Sequence, residues 1–178
     1  MRWLRSQCDP AVGLVHARVV GGQTAGRGRS LGRGTRPDEG WDVVTVLLVD
    51  VANVVGSRPD GWWRDRRGAA ERLLGRLAGL VGRRLTGPAG SDLTVEQVVA
   101  VVEGQARDAA APEGIRVVRA PGSGDDALAE CAAELAAERT SLLVVTADRG
   151  LRARLPAGAA VTGPGWLLAA LDSRPPPA

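Results

Sequence analysis

The sequence predicts an α/β fold in which a central, mainly parallel sheet is covered by helices on both faces, a three-layer α/β/α sandwich. Three observations carry this. Short apolar, β-branched runs alternate with segments of helical spacing from residue 43 onward, the order that builds parallel sheets. The runs are continuously apolar, as strands buried on both faces must be. Four of them end on an acid or are followed closely by one: Asp50, Glu103, Asp125-Asp126 and Asp148. Carboxyl ends of parallel strands are where open α/β sheets bind ligands.

The first strand is Val43 to Asp50, the cleanest such run in the chain. A loop through Gly56, Pro59 and Gly61 follows, then a helix over about 62–84, with Leu73, Leu74, Leu77, Leu80 and Val81 at helical spacing. Gly75 and Gly79 weaken that helix, and Gly87-Pro88-Ala89-Gly90 is a turn. Val98 to Val102 reads as the second strand, ending on Glu103; a helix starting at Thr94 competes, because Val95, Val98, Val99 and Val102 also fit a helical stripe. Ile115 to Arg119 is the third strand, and a helix over about 125–139 buries Leu128, Cys131 and Leu135. Ser141 to Thr146 is the fourth strand, Arg149 to Leu155 a short helix, Ala159 to Thr162 a fifth strand and Trp166 to Leu171 a last helix. One domain over 41–172 results, followed by a frayed Pro-rich end at 173–178. Residues 1–40, rich in Arg and Gly, are expected to be disordered or to reflect a start codon placed too early. Their glycines mimic a GxGxxG loop, but no strand precedes them.

Composition narrows the chemistry. All 23 residues counted as Lys+Arg are Arg, so a P-loop lysine, a Schiff base and a Ser-Lys pair are excluded. The single His, His16, lies in the tail, and there is no Tyr. Acid-base work is left to carboxylates and bound metal. Cys8 and Cys131 are far apart and read as reduced thiols, which with the lack of an apolar leader or span predicts a cytoplasmic protein away from membranes. Residues 1–40 carry 7 Arg against 3 acids and residues 41–178 carry 16 Arg against 17 acids, so the basic charge belongs to the tail. A second excess, 8 Arg against Asp60, Asp65 and Glu71, spans 58–84. It suits a phosphate backbone or a plain solvated helix face.

Side by side in a parallel sheet, Asp50, Glu103, the pair Asp125-Asp126 and Asp148 collect at one edge as candidate site residues, and the sequence leaves open whether Asp125 or Asp126 is the ligand. Crowded carboxylates raise one another's pKa unless a cation offsets them. Mg²⁺ or Mn²⁺ suits an all-oxygen site and keeps several of its waters. A single acid at a strand end is usually a cap or turn residue, but four strands sharing the feature point to a metal site.

Asp50-Val51-Ala52-Asn53, Gly124-Asp125-Asp126-Ala127-Leu128 and Thr146-Ala147-Asp148-Arg149 resemble the motifs of PIN-like nucleases, in particular the NYN branch. The resemblance covers about 41–172 and rests on the order, spacing and strand-end placement of three short motifs. It implies a PIN-like sandwich, a Mg²⁺/Mn²⁺ site and hydrolysis of RNA phosphodiesters by metal-activated water. It further implies that Asp50 is the central ligand, that Asn53 orients water or phosphate, and that Asp125 and Asp148 are the second and third ligands. Thr146 would support the site through its hydroxyl. Val51 stands where the family commonly has Gly and would crowd a substrate backbone; Gly150 stands where some relatives carry an acid. Another family acid falls near Cys131, with Asp126 and Glu130 on the neighbouring helix face.

Around this core, Arg58, Arg64, Arg66 and Arg67 of the basic segment, with Arg149 and Arg152 beside the acidic edge, are candidate RNA contacts. Arg149 and Arg152 could equally pair with Asp148 or Glu103. Trp62 and Trp63 could stack bases, although docking of the helix start against the sheet is the favoured reading. Trp41 and Trp166 read as structural. Gly122-Ser123-Gly124 could form a phosphate nest or a plain turn. The reading that emerges is a Mg²⁺- or Mn²⁺-dependent endoribonuclease acting on single-stranded or structured RNA, with homodimerisation left open. A nucleotide pyrophosphohydrolase is the competing enzyme, although Glu130, Glu134 and Glu138 read as an exposed face and not as its ligand cluster. The competing binder is an RNA-binding module with a decayed site. A haloacid-dehalogenase-type phosphatase is excluded by Ala52, where its second Asp would stand.

Overall fold

The computed structural model describes residues 43–138 and 141–173, all within the unit Pro37–Ala178. The expectations for residues 1–40, for Trp41 and for the end beyond Ser173 lie outside the described residues.

Strand β1 (Val43–Asp50) is the centre of a six-stranded sheet. It pairs in parallel with β3 (Asp92–Val102) on one side and with β5 (Leu142–Val145) on the other. The long β3 carries two partners on its outer edge: β2 (Arg84–Thr86), antiparallel along its first half, and β4 (Arg116–Arg119), parallel along its second. Strand β6 (Ala160–Thr162) pairs in parallel with β5. The chain thus leaves β1 toward β3 and β4, then returns past it to β5. That reversal places the carboxyl end of β1 at the topological switch point, where open sheets hold their ligands.

Alternation along each strand sends successive side chains to opposite faces, and both faces are buried. Leu47, Val49, Val98, Ala100 and Val102 pack against α1 (Val51–Gly56), α2 (Arg66–Ala78) and α5 (Pro164–Asp172). Val46, Leu48, Val99, Val101 and Val144 pack against Leu128, Cys131 and Leu135 of α3 (Gly124–Glu138) and Leu151 of α4 (Arg149–Arg152). The expected three-layer α/β/α sandwich with a mainly parallel sheet is the architecture observed.

Several local readings are corrected. The segment after Asp50 is a helix, α1, whose β-branched residues masked it; Asp50 caps it by accepting the Asn53 N–H at 3.0 Å. The helix expected over 62–84 is a 3₁₀ turn (Trp62–Arg64) followed by α2, which stops at Ala78. Gly82, at φ 77°, then turns the chain into the short strand β2. The helix considered from Thr94 is strand throughout, since both faces of β3 are covered. No helix among the described residues is long and apolar enough to cross a membrane.

Candidate metal centre

Four acids line one open cavity, together with Ala52, Asn53, Gly56 and Ser57: Asp50, Glu103, Asp125 and Asp148. Each is presented by the join between a strand and the helix or turn that follows. Asp50 closes β1 and is 7% exposed. Its Oδ1 accepts the Asn53 N–H, and its Oδ2 accepts the Thr146 hydroxyl at 3.0 Å. The Thr146 Oγ1 also accepts the Asp148 N–H at 3.1 Å. Asp148 Oδ1 in turn accepts the Leu151 N–H at 2.7 Å and caps α4. Asn53 Oδ1 accepts the Ala147 N–H at 2.9 Å. This fixes the orientation of the amide and leaves its NH₂ as the group available to an oxygen ligand.

Glu103 follows β3 and reaches α3, where its Oε2 accepts the Gly124 N–H at 2.7 Å. A Cβ on Gly124 would lie 2.6 Å from that oxygen, so only glycine allows the approach. The N–H that would complete a phosphate nest over 122–124 is thereby already used. Asp125, in the first turn of α3, completes the acidic lining. Asp50 and Asp148 thus accept N–H groups at the starts of α1 and α4, and Asp125 lies in the first turn of α3, where helix N-termini favour negative charge.

The electrostatics record the crowding. Burial raises the Asp50 pKa above the ordinary carboxylate value; the Asn53 N–H and Thr146 hydroxyl oppose the rise, and the charges of Asp125 and Glu103 add to it. Asp125 is also raised, first by burial and then by Asp148 and Glu103, with Arg154 acting against the shift. Among the described residues no group of three or more His, Cys, Asp or Glu forms a ready-made metal-ligand set. The four acids instead line an open cavity as oxygen-only donors. That donor chemistry fits a Mg²⁺-like ion that keeps several waters and binds through one or two carboxylates, and not a closed protein cage.

Asp50, Asn53, Glu103, Asp125, Thr146 and Asp148 are thus brought together. Asp126 is not: it is exposed and bonded to Arg154 at 2.6 Å, away from the cavity lining. Val51 is 1% exposed and packs into the core beside α2. A Cβ at Gly150 would lie 3.2 Å from Asp148 Oδ1, so a side chain there would press on the acid that caps α4.

The arginines divide. Arg58 and Arg76 both hold Asp172 of α5, and Arg67 pairs with Glu71. Arg152 donates to the Thr146 carbonyl at 3.1 Å, not to Asp148 or Glu103. Arg64 and Arg149 are exposed. Arg66 lies over the Trp62 ring, 5.3 Å from its centroid. The docking role favoured for one or both tryptophans fails for Trp63, which is 54% exposed, while half-buried Trp62 joins no core cluster but lies beside Gly56 of α1. Trp166 does pack against the core, and its indole N–H donates to the Thr86 carbonyl. Arg107 escaped sequence reasoning; it lines a second cavity beside the acids. The single basic residue in the stretch 103–111 was its only signal.

No protein-family model matches the chain, and no curated protein matches it. Among solved structures it is similar to Rae1 (YacP) from Bacillus subtilis, at 18% sequence identity and a TM-score of 0.52. The likeness covers 73% of this chain and 76% of that one. At that identity the comparison speaks to the fold alone, an α/β/α sandwich around a mainly parallel sheet.

Proposed function

We propose that this chain is a divalent-metal-dependent endoribonuclease that hydrolyses RNA phosphodiester bonds. The observation that carries the reading is the meeting of Asp50, Glu103, Asp125 and Asp148 on one open cavity at the switch point of the sheet. The motifs of the PIN-like family and the fold shared with Rae1 support it. Asp50, Asp125 and Asp148 would hold Mg²⁺ or Mn²⁺, with Glu103 at the margin. Bound there, the ion would neutralise charge on the phosphate and lower the pKa of a water.

The chain's own residues supply the positioning. Thr146 and the Asn53 N–H hold the two oxygens of Asp50 in place. The Asn53 NH₂ is free to donate to a phosphate oxygen or to the attacking water. Exposed Arg149, at the first turn of α4 beside Asp148, can meet the strand's phosphates. The breadth of the cavity admits a polymer backbone where a closed pocket would admit only a small nucleotide.

The test is Mn²⁺-dependent cleavage of mixed RNA by the wild type and by Asp50→Asn. The wild type should cleave and the variant should not; equal cleavage by both purified proteins would refute the assignment. The exposed Arg64, Arg66 and Arg149 favour one second reading, an RNA-binding module without cleavage. That protein would bind RNA without metal, with a steep salt dependence and no sensitivity to Asp148→Ala.

A further inference from the structure

A second cavity, of about 390 Å³, adjoins the acidic one, within the range of sites that enclose small ligands. The two share Ala52 and Glu103 in their linings, so they are contiguous. The second has a different chemistry. Val51 and Val55 of α1 and Ala70 of α2 give it an apolar lining. Trp62 adds an aromatic ring, and the Arg66 guanidinium lies over that ring, 5.3 Å from its centroid. Polar groups come from the turn after β3: exposed Gln105, and Arg107, which donates through one NH₂ to the Pro121 carbonyl at 3.1 Å. The Arg107 Nε is buried with no hydrogen-bond partner. The protein therefore leaves that guanidinium incompletely satisfied at the cavity.

We propose that this cavity binds one unpaired nucleobase of the RNA strand whose phosphodiester lies over the acids. The inference rests on reading the acidic cavity as the cleavage site. A flat heteroaromatic ring can pack against Trp62 and the apolar lining and use the Gln105 amide and the Arg107 guanidinium at its edge. An aliphatic ligand would leave the polar groups unanswered, and a bare phosphate would meet apolar side chains and Glu103. A base held here sits next to the acids, so the site selects single strands: a base inside a duplex cannot enter it. The turn carrying Gln105 and Arg107 is then where base preference is read.

The test is an abasic scan. The full chain is titrated, in EDTA to prevent cleavage, with a fluorescent single-stranded RNA of a dozen nucleotides. The same strand is then used with one abasic site at each position in turn. In the wild type, abasic sites at one or two adjacent positions should weaken binding by about tenfold, the scale of one base-aromatic stack. Trp62→Ala and Arg66→Ala should bind the intact strand about tenfold more weakly and lose that position dependence. Arg66 is exposed, so its variant serves even if Trp62→Ala does not fold. Equal abasic penalties at every position in all three proteins would overturn the proposal. A nucleoside triphosphate binding as tightly as the strand, with the same dependence on Trp62 and Arg66, would also overturn it. The Mn²⁺ cleavage assay reads the acids separately: cleavage without a position-specific abasic penalty sinks the base site alone. A penalty in a wild type that cleaves no RNA sinks the nuclease reading alone.

Discussion

The Thr146 hydroxyl donates to Asp50 Oδ2 at 3.0 Å while its oxygen accepts the Asp148 N–H at 3.1 Å. One side chain, fully buried at the end of β5, therefore sets the position of two acids on neighbouring strands. The Asn53 amide makes a second crossing from α1 to Ala147. The acidic edge is held by cross-strand bonds at the one place where the sheet topology reverses.

Removing the hydroxyl should be felt in both stability and pH response. Thr146→Val leaves Asp50 Oδ2 and the Asp148 N–H without their partner and should cost about 1–3 kcal/mol. Because the hydroxyl lowers the Asp50 pKa against the rise from burial, its loss raises that pKa further. The acid limb of the cleavage profile should then move to higher pH. Thr146→Ser keeps the hydroxyl and should restore both. Denaturant unfolding and pH-rate profiles of the two variants check this; an unshifted acid limb in Thr146→Val would count against the coupling.

The raised pKa of Asp50 also has a consequence for folding. Its folded value lies above the unfolded one, so its contribution favours the fold below the unfolded pKa and is lost as pH rises through the folded one. Asp50→Asn removes that loss and still caps α1, since Asn is as good a cap as Asp. In EDTA at neutral pH the variant should therefore melt at or above the wild-type temperature. Mn²⁺ should raise the wild-type melting temperature at neutral pH and do little for the variant. The wild-type gain should shrink as pH falls and protons replace the ion. A variant that gains from Mn²⁺ as much as the wild type would remove Asp50 from the metal site.

The strand ends were legible in the sequence because the stretches buried on both faces are apolar runs, so the acid that follows such a run marks its exit. Asp50, Glu103 and Asp148 could be found that way. Helix α1 could not: three of its six residues are Val, which on propensity favours a strand, and it forms because Asp50 caps it and the core takes Val51 and Val54. Strand β2 has only three residues and exists through pairing with β3. Partners far along the chain were invisible too. Asp172 takes Arg58 from a distance of 114 residues, and nothing local distinguishes that arginine from its exposed neighbours.

Asp125 and Asp126 are the sharpest case, since one residue of helical phase separates them. Asp125 lines the acidic cavity, while exposed Asp126 pairs with Arg154. An exposed pair of this kind is worth about 0–1 kcal/mol. Asp126→Asn should retain cleavage within about twofold, and Asp125→Asn should lose it by about a hundredfold or more, on the scale of a lost transition-state contact. Rates for the two variants at saturating Mn²⁺ decide it. Equal losses would place both acids in the site.

Gly124 offers a test of how the margin of the site is built. A Cβ there would lie 2.6 Å from Glu103 Oε2, inside any tolerable contact, and the carboxylate is also bonded to the Gly124 N–H. Gly124→Ala should swing the Glu103 carboxylate away and cost the bond to the Gly124 N–H, about 0.5–1.5 kcal/mol. Yet alanine is the better helix former by about 0.8–1 kcal/mol within a helix, so with Glu103 removed the same substitution should no longer cost stability. Glu103→Ala alone loses the bond to α3, and adding Gly124→Ala to it should be neutral or stabilising. A double-mutant cycle read by denaturant unfolding measures that coupling directly. Additive costs would mean that Glu103 does not depend on the space beside Gly124, and that the acid at the margin of the cavity is held by something else.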